Sequence, residues 1–292
     1  MLRMLEMTRL MLKPGRSPLL RTPESIGLAY ENVSFKATDG VEIRAWFIPG
    51  KGAEKGVRGP VVAFVHGWLW NRTGNVAGKV PFTDRDVDFL PATRALHDAG
   101  YHVLLMDVSN HGESGSRFPL TYGPLEARDF IGAVNYLRAR PDVDGDRIGA
   151  IGCSMGGNTV IYGTPECQPV KALLAIQPAV LPHFNHNFAK LELGPLGPMM
   201  VKSTDLLYLL FGAPLPSRHN PAIPARNLGK TIVQYVQGTG DPWGTMEDVE
   251  KMAAATPNAL PVVKFPSTGR YEGYRYISEA VDDVAAFFKA NL

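Results

Sequence analysis

Cysteine is nearly absent from this chain, which has only Cys153 and Cys167 in 292 residues. A disulfide-stapled scaffold needs several paired cysteines, so that class is excluded and a reducing, cytoplasmic setting is the expectation. Long apolar runs are missing as well. The stretch from Met1 to Leu12 is rich in Leu and Met, but Arg3, Glu6 and Arg9 interrupt it and no small-residue cleavage site follows. It therefore reads as neither a secretion signal nor a membrane span. It reads instead as a helix that packs on the body or pairs with a second copy in a homodimer, because its two arginines make only a thin basic face for lipid. No excess of one charge exists: 30 Lys and Arg stand against 28 Asp and Glu, with both signs interspersed. That leaves no basic stripe for nucleic acid and points to a small-molecule partner. The most consequential absence is of histidine, since all seven precede residue 220.

What is present is ordinary globular material, 45% hydrophobic and 20% charged, enough for one large α/β domain to bury a core without staples. Asn32 to Phe35 and Val41 to Ile48 alternate polar and apolar residues around Thr38-Asp39-Gly40, which predicts an antiparallel hairpin. From Pro60 onward the pattern changes to short continuous apolar runs: Val61–Val65, Val103–Met106, Ile148–Ile151, Leu173–Ile176, Ile232–Val236 and Val262–Phe265. Such runs alternating with helical segments predict a mostly parallel sheet covered on both faces. Among the helices, Glu126–Leu137 puts Phe130, Ile131, Val134 and Leu137 on one face, and another runs from Ser278 through Phe288. The expected organisation is an extension over residues 1–29 and an α/β domain over 30–292. A cap-like insertion rich in Pro, Leu and Met, about 178–227, lies over the sheet's C-terminal edge.

Gly152-Cys153-Ser154-Met155-Gly156 follows a short buried strand and leads into a helix starting near Gly157. Acyl-transfer chemistry needs such a turn: it exposes a serine oxygen, and small residues on either side let backbone pass close by. The helix N-terminus behind it aims amides and dipole at a developing oxyanion. After the strand Val61–Val65 comes His66-Gly67-Trp68-Leu69-Trp70, so the backbone amides of Trp68 and Met155 are the expected oxyanion donors, with Trp68 and Trp70 beside the pocket. His66, ending its strand, and His111, within the loop Asp107–Gly115, read as scaffold residues.

Three motifs in this order, His66-Gly67-Trp68, Asp107 through Ser114 and Gly152 through Gly157, resemble the α/β-hydrolase superfamily over roughly residues 30–292. The run Asp146-Arg147-Ile148-Gly149 into Cys153-Ser154-Met155 is similar to its esterase, dienelactone-hydrolase-like and serine-peptidase-like branches. The resemblance implies an α/β-hydrolase fold and a cofactor-free, metal-free serine mechanism on a carboxylic ester or related acyl substrate. It implies Ser154 as nucleophile and Asp241, after the strand Ile232–Val236, as the acid. It also implies a histidine base in the loop after Val262–Phe265, where this chain has Gly269 and Arg270 instead. Arginine stays protonated and glycine has no side chain, so neither is a base. Three explanations stand open: an inactivated variant of an active enzyme, a ligand-binding or regulatory protein on a retired hydrolase fold, or a base supplied from elsewhere by His183, His186 or His111. His183 and His186 stand three apart, but two histidines without a third ligand do not make a metal site.

Overall fold

The computed structural model describes residues 9–53, 57–80 and 82–292, apart from the side chains of residues 200, 202 and 203. Of the expected N-terminal helix, residues 1–8 fall outside the described part and residues 9–12 are helical. Eight strands build the main sheet: β1 (Glu31–Lys36), β2 (Glu42–Ile48), β3 (Gly59–Val65), β4 (His102–Met106), β5 (Val143–Cys153), β6 (Ala172–Ile176), β7 (Ile232–Gly238) and β8 (Val263–Phe265). Their order is β1-β2-β4-β3-β5-β6-β7-β8. The expected hairpin pairs Val33 with Ala45 and Phe35 with Ile43. Only the β1–β2 and β2–β4 pairs are antiparallel, and the rest of the sheet is parallel.

The continuous apolar strands are continuous because each face of the sheet has its own core. In β3 and β4, Val61, Ala63, Val65, Leu104 and Met106 feed one cluster, while the alternating Val62, Phe64, Val103 and Leu105 feed the other. The period of two sends successive side chains to opposite faces, and each such burial contributes roughly 1.5–3 kcal/mol. Helices α1 (Leu90–Asp98), α2 (Ala127–Ala139) and α3 (Met155–Gly163) cover these faces. Phe130, Val134 and Leu137 of α2 pack with Val61, and Leu90 and Leu96 of α1 pack with Val62.

Between β6 and β7 lie α4 (Leu181–Glu192), α5 (Gly197–Leu210) and α6 (Ala222–Ala225). They are tied to the body by Tyr208, whose hydroxyl donates to the Leu120 carbonyl at 2.7 Å, and to their own connecting segment by the Leu181 amide, which donates to the His219 carbonyl at 3.2 Å. After β7 come α7 (Met246–Ala255), α8 (Arg270–Tyr274), α9 (Tyr276–Glu279) and α10 (Val281–Asn291). One helix was expected from Ser278 to Phe288, but the chain breaks at Ala280, at φ −104° and ψ 43°. Asp282 and Asp283 then sit in the first turn of α10, where the helix dipole favours them.

One buried acid beneath the loops has a measurable consequence. Asp129 of α2 accepts from the Ser109 amide at 2.8 Å, and burial pushes its carboxyl up from 3.8 to about 8. The folded chain therefore holds a proton that the unfolded chain releases, and this group's contribution to stability is lost as pH rises from ~4 through ~8. Asp129→Asn keeps the acceptor and cannot ionise. The expected result is a melting temperature that gains on the parent as pH is raised across that window; a gain independent of pH would contradict the assignment.

Candidate active site

The strand-to-helix turn expected around Ser154 is there, and its geometry explains its glycines. Ser154 sits at φ 55° and ψ −118°, a left-handed, strained conformation that an L-residue adopts only under constraint. Its amide donates to the Ile176 carbonyl at 2.9 Å, and its carbonyl accepts from the Asn158 amide at 3.1 Å. A Cβ on Gly156 would stand 2.0 Å from the Val65 carbonyl oxygen, and one on Gly152 would stand 2.4 Å from that of Gly156. Those two positions must be glycine for the turn to nest under β3. Met155 opens α3, so its amide is at the helix N-terminus directly after the serine. Among the described residues, neither the Met155 nor the Trp68 amide donates to another element.

The loop bearing Trp68 is held from three sides. His66 Nδ1 donates to the Gly67 carbonyl at 2.7 Å, and its Nε2 accepts from the Val108 amide at 3.0 Å, which requires a neutral ring; burial lowers its pKa. His111 lies edge-on to it at 5.1 Å, and burial drives its pKa down to about 3. Both histidines are scaffold, as their positions suggested. Arg72 donates to Asp107 three times, through its amide and two guanidinium nitrogens, and once to Glu113, and its guanidinium lies 4.7 Å above the Trp46 ring. This clamp joins the Trp68 loop to the loop after β4. On the third side, the Trp68 indole donates to the Leu10 carbonyl at 3.2 Å.

Asp241 follows β7, and its side chain is completely buried. One oxygen accepts from the amides of Trp243 and Gly244 at 3.0 and 3.2 Å, and the other accepts from Gln237 Nε2 at 3.0 Å. That second oxygen also receives Arg270 Nη1 in a close ion pair. Arg270 opens α8 with its side chain 3% exposed, and its Nη2 donates to Ser154 Oγ at 3.2 Å and to the Gln177 carbonyl at 2.8 Å. Phe184 and Tyr274 flank the guanidinium at 4.7 and 5.2 Å. Burial pulls the Arg270 pKa down, but Asp241 outweighs it and holds the pKa above its usual value. The side chain of residue 270 thus bridges acid and serine, and it is a permanently charged donor.

Gly269, the other position flagged in the sequence, is the extended residue before α8, where a Cβ would meet Glu272 rather than Ser154. The three alternative histidines are elsewhere. His183 Nδ1 pairs with Asp248 at 2.9 Å, His186 lines a cavity of about 220 Å³ between α4 and α5, and His111 is buried against His66. No group of three metal-ligating side chains occurs among the described residues.

The space at Ser154 is small and aromatic. A cavity of about 30 Å³ is walled by Trp68, Phe82, Phe184, Trp243 and Tyr271. Trp70 is 2% exposed and stands on Tyr274 with ring centres 4.9 Å apart, so it serves core and pocket together. A larger cavity of about 570 Å³ opens alongside, sharing Trp243, Arg270 and Tyr271 but not Ser154.

Two residues of this site escaped the sequence reading. Gln177 directly follows the apolar strand β6, at φ 48°; its carbonyl accepts from Arg270 and its Nε2 donates to the Arg270 carbonyl at 2.8 Å. A lone polar residue after five apolar ones was the available signal. Tyr274 lies one helical turn beyond Arg270, and that i, i+4 spacing was legible only once residue 270 was known to face the serine.

A mostly parallel eight-stranded sheet carrying a serine on a strained turn after its fifth strand is the architecture of an α/β hydrolase. Residues 62–287 match the family described as the alpha/beta hydrolase family, and the chain belongs to it. Among solved structures, an esterase of Pyrococcus furiosus, Pf2001, superposes with a TM-score of 0.71 at 22% identity, covering 96% of this chain and 98% of that one. Among curated proteins, the uncharacterized protein YfhR of Salmonella typhimurium is 30% identical over 137 residues, which are 47% of this chain and 41% of YfhR. Thiohydrolase aneE of Aspergillus aculeatus is 26% identical over 152 residues, 52% of this chain and 42% of that protein. The chain thus spans about two-fifths of the length of these relatives. No described helix is long and apolar enough to cross a membrane.

Proposed function

We propose that this chain carries a serine-hydrolase acyl site, with Ser154 as nucleophile, the Trp68 and Met155 amides as oxyanion donors and Asp241 as the acid. Its substrate class is a carboxylic ester or related acyl compound. Turnover is impaired because Arg270 stands where a base is needed. The observation that carries the reading is the double engagement of Arg270 by Asp241 and Ser154 Oγ. The guanidinium donates to the serine oxygen and cannot accept its proton, so attack proceeds without general-base help. Loss of a triad base costs on the order of a million-fold in turnover, while oxyanion donors and binding retain roughly a thousand-fold over water.

The same contact favours a second reading, a ligand-binding or regulatory protein on a hydrolase fold, in which the aromatic pocket holds an acyl ligand without cleaving it. A fluorophosphonate probe followed by intact mass separates the two. Slow adduct formation that Ser154→Ala abolishes supports an impaired nucleophile. A parent that takes up no more probe than Ser154→Ala during prolonged exposure supports binding alone.

A further inference from the structure

Among the described residues that line the pocket, Tyr274 is the one whose polar side-chain atom is fully buried and without a partner. It lines the cavity at Ser154 and is 2% exposed, and its hydroxyl makes no hydrogen bond. The Ser154 hydroxyl lies close beside it, though the pair falls short of hydrogen-bond geometry. Burial holds the phenol protonated well above its ordinary range, so at neutral pH it is a donor. A buried hydroxyl without a partner is costly, and a functional pocket is where such a cost is tolerated because a ligand removes it.

The chemistry of the missing partner follows from where Tyr274 stands. Residue 270 occupies the position from which a triad base serves both the nucleophile and the leaving group, and Tyr274 lies one turn further along the same face of α8. The oxyanion amides belong to the Trp68 loop and to the start of α3, on other elements. A carbonyl compound placed against Ser154 would direct its carbonyl oxygen to those amides and its second substituent toward α8.

We propose that Tyr274 is a ligand-binding residue whose hydroxyl donates to the second oxygen of a bound ester or carboxylate. This inference rests on the acyl-site reading above and sharpens its ligand class: compounds with two oxygens on the carbonyl carbon are preferred over ketones of the same shape. An ester oxygen accepts the phenol proton, whereas the methylene that replaces it in a ketone leaves the hydroxyl unpaired.

Trp68, Trp70 and Trp243 surround the cavity, so tryptophan fluorescence reports occupancy directly. The experiment titrates the full chain with methyl butyrate and with 3-hexanone, which differ only by oxygen against methylene, and repeats both with Tyr274→Phe. The expected result is about a tenfold preference for the ester in the parent, falling to parity in Tyr274→Phe, whose melting temperature is equal or higher because an unpaired buried hydroxyl has gone. A preference unchanged in Tyr274→Phe, or parity already in the parent, overturns the proposal, and the parent measurement needs no variant to fold. If neither compound perturbs the fluorescence, the acyl-site reading itself fails, an outcome distinct from parity between two bound ligands.

Discussion

Arg270→His is expected to raise ester hydrolysis by at least about a thousand-fold over the parent chain. Everything a histidine at this position requires is already in place. Asp241 is buried and fixed by two backbone amides and by Gln237, ready to hold an imidazole in one tautomer. Arg270 Nη1 and Nη2 already reach Asp241 and Ser154 Oγ, so the chain delivers residue 270 to the gap between acid and serine. Replacing a donor-only group there by an imidazole supplies the acceptor that the Ser154 proton lacks. Short-chain p-nitrophenyl esters provide the measurement, with Ser154→Ala in the same background as the blank. Gly269→His is expected to gain nothing, because a Cβ at Gly269 stands 2.7 Å from Glu272 Oε2, away from the serine. Equal gains from both substitutions, or none from Arg270→His, would contradict the placement.

The second large effect is on stability. Arg270 and Asp241 are 3% and 0% exposed, so each charge depends on the other. Removing one member of such a pair leaves an uncompensated buried charge and costs about 3–5 kcal/mol. Asp241→Ala is therefore expected to lower the melting temperature by roughly 10 °C. Replacing both partners with apolar residues of similar size, as in Asp241→Leu with Arg270→Met, is expected to restore most of that loss. Thermal unfolding of the parent and these two variants decides it: an Asp241→Ala protein as stable as the parent would mean that water reaches the guanidinium. The comparison also separates the two roles of the acid, because in an Arg270→His background Asp241→Asn should reduce activity far more than stability.

The sheet was legible because its physics is local. Val61–Val65 or Leu173–Ile176 has no polar face to misread, and glycines in the Ser154 turn mark a close backbone approach with no other cheap solution. The lack of any histidine after residue 219 was legible by counting. What stands in the base's place was not, since sequence left Gly269 and Arg270 equivalent, and the choice depends on the direction in which α8 begins. Gln177 and Tyr274 were hidden for a related reason: their roles come from contacts across 93 residues in one case and from an unpaired hydroxyl in the other, and neither leaves a periodicity. The break at Ala280 was missed because alanine favours helix, and the turn there is set by packing rather than propensity.

The most direct test of this account is the turnover of the unmodified chain with p-nitrophenyl acetate, measured against its own Ser154→Ala variant. A guanidinium at the base position predicts that the two rates agree within a few-fold. A parent that is fast, with its rate abolished by Ser154→Ala, would mean that another group takes the serine proton and that Arg270 does not silence the site.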